Sequence, residues 1–95
     1  MYGTLGRMTP KAGRRDELVA LLNRAPAGAA AKGYRGAYLL KADEGDEIVV
    51  AVMYEDRDAY LDMVHDPKTD ENFGKIMELL EGEPHWTDGE WLGPG

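Results

Sequence analysis

The chain has 95 residues, 43% of them hydrophobic and 31% charged, which are the proportions of a folded globular protein rather than a disordered one. Eleven basic residues against eighteen acidic ones leave a net charge of −7, with no basic cluster to offset it, so binding to nucleic acid or an anionic membrane is disfavoured. The absence of cysteine excludes disulfides, thiol catalysis and Cys-ligated zinc or iron–sulfur centres, and fits a reducing cytoplasm.

The length sets an expectation of one domain over residues 1–95. The opening MYGTLGRMTP has no apolar core of signal-peptide length, and no run approaches the roughly 18–20 apolar residues of a membrane span. A soluble, cytoplasmic protein is the expectation.

In chain order, Tyr2 to Met8 reads as a first strand, closed by Thr9-Pro10 and a Lys11-Ala12-Gly13 turn. A helix follows from Arg14, with Leu18, Leu21, Leu22 and Ala25 on one apolar stripe until Pro26 interrupts it. The small-residue stretch from Ala27 to Ala31 fits a loose turn, a short helix or a loop, with Gly33 as its end point. Gly36 to Ala42 is a second strand and Glu47 to Glu55 a third, joined through Asp43-Glu44-Gly45-Asp46 as a hairpin. Asp56 caps a helix starting at Arg57, with Tyr60, Met63 and Val64 on one face, and His65-Asp66-Pro67 stops it. Thr69 or Asp66 caps the next helix, striped by Phe73, Ile76, Met77 and Leu80 and ended by Gly82. A last strand lies between Pro84 and Leu92.

This order is β-α-β-β-α-β with the second helical region in two pieces. It predicts an α+β, ferredoxin-like βαββαβ fold: a four-stranded antiparallel sheet with helices on one face. The third strand, EIVVAVMYE, then stands out, because apolar residues occupy both of its faces. If Ile48, Val50, Val52 and Tyr54 meet the helices, Val49, Ala51 and Met53 face water. Each large side chain left there forgoes about 1.5–3 kcal/mol of burial, and a second copy of the chain in a two-fold dimer would recover it.

Several ordered features carry a family likeness. They are the G-x-x-x-x-Y-x-L pattern of Gly33-Tyr34-Arg35-Gly36-Ala37-Tyr38-Leu39-Leu40, the strand-to-helix junction from Val52 to Tyr60, His65 late in the next helix, and an amphipathic helix before the last strand. From Tyr2 to Trp91 the chain resembles the antibiotic biosynthesis monooxygenase-like group of the dimeric α+β barrel superfamily. The resemblance implies a homodimer whose sheets pack face to face, with a small-molecule pocket in each subunit between sheet and helices. Some relatives oxygenate polycyclic phenols with O₂ and neither metal nor flavin; others degrade haem. The haem-degrading relatives resemble one another in a first-strand asparagine, a tryptophan after strand three and an iron-binding histidine. This chain has Gly6 and Arg7, Met63, and Asn72 or Phe73 at those places, which argues against that branch.

Within that frame His65 is an acid/base candidate able to take a proton from a phenol, although a helix-ending histidine also serves the dipole and solvent. Tyr34, Tyr38 and Tyr60 are phenols for a pocket or for packing, and Tyr2 and Tyr54 fit packing better. Arg7 holds an anionic substrate or oxygenated intermediate if it faces the pocket, and is an interface residue if it does not. Trp86 and Trp91 suit dimer or core anchors first and an aromatic wall second, with His85 on the face opposite Trp86. The acid-rich segments Asp43 to Glu47 and Asp66 to Glu71 match no calcium loop, and no phosphate loop or nucleophile elbow is present.

The leading expectation is a cofactor-independent monooxygenase of an aromatic or polyketide-like molecule, needing no cofactor or metal. His65, Arg7 and Tyr60 are its catalytic candidates, and Tyr34, Tyr38 and Trp86 its substrate-binding ones. The alternatives are a non-catalytic dimeric module binding a small molecule or protein, and a proton-transfer isomerase or lyase on the same barrel.

Overall fold

The computed structural model describes residues 1–24 and 31–93. Along these run β1 (Tyr2–Met8), α1 (Arg15–Leu22), β2 (Tyr34–Lys41), β3 (Ile48–Tyr54), α2 (Arg57–Val64), α3 (Pro67–Glu78) and β4 (His85–Glu90). The strands form one antiparallel sheet in the order β2-β3-β1-β4, the ferredoxin-like arrangement expected from the element order.

The register separates the two faces of β3 residue by residue. Ile48, Val50 and Tyr54 are buried on the face that the helices cover, opposite Met8, Gly6 and Tyr2 of β1. There Leu18 of α1 and Leu79-Leu80, just after α3, join Met8, Ile48 and Val50 in one core cluster. Tyr54 makes a second cluster with Ala59 and Tyr60 of α2. Val49, Ala51 and Met53 pair with Arg7, Leu5 and Gly3 on the other face and are only half-buried. That face also carries Tyr38 and Leu40, 75% and 62% exposed. The Trp91 indole lies over Gly3, where an added Cβ would collide with the indole and the Val52 backbone, and its Nε1 donates to Val52 O at 3.1 Å.

Local chemistry accounts for the element ends. Asp56 Oδ1 accepts from Ala59 N at 2.8 Å and caps α2 as expected. Asp66, rather than Thr69, caps α3: its Oδ1 accepts from Lys68 N at 3.0 Å and Pro67 takes the first helical position. Thr69 instead ties the two helices together, donating to Met63 O at 2.6 Å. α1 ends at Leu22, and Ala25 with residues 26–30 of the alanine–glycine stretch lies outside the described residues.

β2 begins at Tyr34, two residues before the expected start, because the register shifts between Tyr34 and Gly36. Gly36 has φ 131°, a conformation that favours glycine. The irregularity reverses the simple alternation of β2. Tyr34 pairs with Tyr54 and Ala37 with Val52 on the helix-covered face, so Tyr38, opposite Ala51, points the other way.

Candidate functional site

A cavity of about 560 Å³ lies between the helix-covered face of the sheet and the three helices, within the size range of small-molecule sites. Its floor is Thr4 of β1, Val50, Val52 and Tyr54 of β3, and Tyr34 and Ala37 of β2. Leu21 and Leu22 of α1, Met63 and Val64 of α2, and Phe73 and Ile76 of α3 form apolar walls. Trp86 of β4 closes one side, its ring 6.3 Å from that of Phe73 and tilted 47°. The charged lining groups are Arg24, Lys68 and Asp70.

Trp86 reaches this position because its cross-strand neighbour is glycine. Gly6 pairs with Trp86, and an added Cβ on Gly6 would overlap the indole ring. A glycine in a strand often marks such a close approach, but the sequence does not say which side chain approaches it. Phe73 was legible only as part of an apolar stripe. In the structure it is 36% exposed and turned toward Trp86 rather than into a core.

Beside the cavity runs a chain of phenol rings. Tyr34 and Tyr54 meet edge to face at 5.7 Å, Tyr54 and Tyr60 at 6.0 Å, and Tyr60 and Tyr2 at 5.3 Å. Burial, reinforced by nearby Tyr34, pushes the Tyr54 hydroxyl up to about 12. Burial also pushes Tyr60 up to about 12, helped by the hydrogen bond its hydroxyl donates to Asp88 Oδ1 at 2.8 Å and by the Asp88 charge. Both are therefore neutral phenols at pH 7, able to donate hydrogen bonds but not to serve as bases.

The expected site residues are not brought together as one constellation. Tyr34 and Trp86 border the cavity. Tyr60 is buried beside it in the phenol chain, outside the lining. His65 is the exposed C-cap of α2 and does not contribute to the lining. Arg7 lies on the opposite face of the sheet, exposed and paired with Glu47 at 3.1 Å, because β1 alternation gives the helix-covered face to Thr4, Gly6 and Met8. Tyr38 is on that opposite face too, as the β2 register shift dictates. A site assembled from His65, Arg7 and Tyr38 would have to span both sides of the sheet.

Among the described residues, no three or more His, Cys, Asp or Glu side chains come together in a way that could hold a metal ion. No helix there is long and apolar enough to cross a membrane.

Comparison with solved structures shows the same architecture elsewhere. The Mycobacterium tuberculosis protein Rv0793 is 25% identical, with 97% of this chain and 95% of that one covered and a TM-score of 0.78. SnoaB, a cofactor-independent oxygenase from Streptomyces nogalater, is 20% identical, with 99% and 97% covered and a TM-score of 0.73. No curated protein matches the chain. The sequence model of the antibiotic biosynthesis monooxygenase family matches residues 1–84, all of the fold except β4. With its sheet, its helices and its cavity between them, the chain belongs to the antibiotic biosynthesis monooxygenase family.

Proposed function

We propose that the protein is a monooxygenase that works without metal or organic cofactor on an aromatic or polyketide-like molecule held in the cavity, and that it does so as a homodimer. The observation that carries this reading is the cavity itself: about 560 Å³, with aromatic and aliphatic walls and few polar groups. Cofactor independence is supported by the likeness to SnoaB, the cofactor-independent oxygenase of the same fold. The dimer is supported by the apolar side chains on the open sheet face, Tyr38 and Leu40 foremost.

In this chemistry the substrate is its own reductant. An anthrone-type carbon loses a proton, the resulting anion gives an electron to O₂, and the radicals join as a peroxide. Loss of water then leaves a carbonyl, so that CH₂ and O₂ become C=O and H₂O. Tyr34 and Trp86 would hold the flat ring system between sheet and α3, where exclusion of water protects the anion. His65 and Arg7 have no part in this reading, because neither borders the cavity.

The test is oxygen uptake by metal-free protein with a panel of anthrones and hydroquinones. Uptake matched by formation of the carbonyl product is expected. Trp86→Ala should raise KM several-fold by removing one wall of the cavity. Tight binding of the panel without oxygen consumption would instead mean a non-catalytic binding module.

A further inference from the structure

We propose that Gly6 sets how large a ring system the cavity accepts, by letting the Trp86 indole lie against β1 instead of standing in the space above the sheet. Gly6 is thus a positioning residue, acting through Trp86, and it fits the site to a planar three-ring molecule. The proposal rests on the reading above, that a flat aromatic molecule occupies this cavity.

Gly6 is buried on the helix-covered face of the sheet, paired with Val50 of β3 on one side and Trp86 of β4 on the other. It is not one of the glycines with positive φ, so the backbone would accept alanine and conformational freedom does not explain the residue. What a side chain would meet is Trp86. The three nearest atoms to an added Cβ all belong to the benzo ring of the indole, the farthest of them at 3.0 Å. The floor beside this pair is made of small side chains. Ala37, Val52 and Thr4 form one cross-strand row over β2, β3 and β1, and all three line the cavity. Adjacent strands lie about 4.8 Å apart, so the row is roughly 10 Å across, the length of three fused rings. Tyr34 lies in the next row on one side, paired with Tyr54, and Trp86 in the next row on the other, level with Val50.

The sheet also fixes the direction in which a larger residue would act. Strand alternation points a Cβ on Gly6 to the same side as Thr4 and Met8, toward the helices. The indole would be lifted off β1 toward α3, where Phe73 already holds its ring 6.3 Å away. Height is then lost between the floor and the α3 wall at the Trp86 end, while the Tyr34 end is untouched. A two-ring molecule still fits at the Tyr34 end, and a three-ring molecule meets the displaced indole.

The test uses naphthoate and anthroate, which carry the same carboxylate on two and three fused rings and lack the acidic CH₂ that oxygenation needs. Calorimetric titration of the full chain measures both affinities. Gly6→Ala should weaken anthroate on the order of tenfold and leave naphthoate within about twofold. In a Trp86→Ala background, Gly6→Ala should change neither affinity, because the ring it displaces is gone. That comparison stays decisive even where Gly6→Ala alone folds poorly. Equal weakening of both probes would overturn the proposal, as would a loss of anthroate affinity that persists without the indole. A wild type that binds neither probe would overturn it too. Gly6-dependent size selection with no oxygen uptake on the anthrone panel would uphold it while removing the oxygenase reading. Anthrone oxidation with probe affinities unmoved by Gly6→Ala would do the reverse.

Discussion

Tyr54 and Tyr60 are the side chains whose chemistry the fold changes most. A phenol ordinarily ionises near pH 10, and burial raises both to about 12. Below pH 10 each is protonated in folded and unfolded chains alike, and its contribution to stability is fully present. Between about 10 and about 12 the unfolded chain gives up protons that the folded one keeps, so stability falls as pH rises and the contribution is gone above the folded value. With allowance for screening, each phenol should account for up to roughly 2 kcal/mol. Denaturant unfolding between pH 9 and 12 should show that decline. Absorbance of phenolate in the folded protein should show two of the five tyrosines ionising late, with one late step removed by Tyr54→Phe and one by Tyr60→Phe. A titration without a late component would refute the assignment. At this scale the sequence was only partly legible. Tyr34 and Tyr38, four residues apart, fall on one face by strand alternation, and only the shift at Gly36 sends them to opposite faces. Likewise, nothing in the one-dimensional pattern pairs Gly6 with Trp86, because strand β4 joins β1 across almost the whole length of the chain.

Among the elements, α3 carries much of the cavity wall yet holds little of the core. It has no buried residue within Pro67–Glu78, and the buried Leu79 and Leu80 lie just beyond it. Its start therefore depends on local chemistry: the Asp66 cap, Pro67 at the first position, and the Thr69 bond to the last turn of α2. Removing the cap with Asp66→Ala should cost about 0.5–2 kcal/mol. The loss should be concentrated in α3, where Lys68, Thr69, Asp70, Asn72, Phe73 and Ile76 line the cavity. Hydrogen exchange is expected to accelerate in the first turns of α3 while β1 and β3 keep their protection, and affinity for the anthrones of the oxygen-uptake panel should fall together with that local protection. Uniformly faster exchange would mean that α3 is integral to the core after all. The helix starts at Asp56 and Asp66 were well marked in the sequence because aspartate and proline state their backbone preferences directly, whereas α3 stops at Glu78, short of the expected Gly82. What α3 does was less visible. The stripe Phe73, Ile76, Met77, Leu80 has the spacing of a core face, and a helix bordering an open cavity needs the same apolar spacing as one bordering a filled core.

For the whole molecule, the order of elements was enough to specify the topology, since a hairpin flanked by two strand–helix units leaves few antiparallel arrangements. The doubly apolar β3 went further and indicated that one face would need cover from outside the chain. On that face Leu40, Tyr38, Val49, Ala51, Leu5 and Met53 are neighbours across three adjacent strands, with the Arg7–Glu47 pair near the end of the β1–β3 ladder. In a two-fold dimer every such contact occurs twice. Leu40→Lys would therefore forfeit about 1.5–3 kcal/mol of burial at two symmetric places, a loss of about 3–6 kcal/mol before the cost of desolvating two ammonium groups is added. At about 1.4 kcal/mol for each factor of ten, the dimer dissociation constant should rise by at least roughly a hundredfold. Light scattering after size-exclusion chromatography at micromolar concentration should find a dimer for the wild type and a monomer for Leu40→Lys, with helical circular dichroism retained. A wild-type monomer would refute the dimer. Residues of a single chain already enclose the cavity, so the Leu40→Lys monomer should still bind the anthrones of the oxygen-uptake panel. Loss of binding on dissociation would instead mean that the cavity holds its shape only when the open face of the sheet is covered.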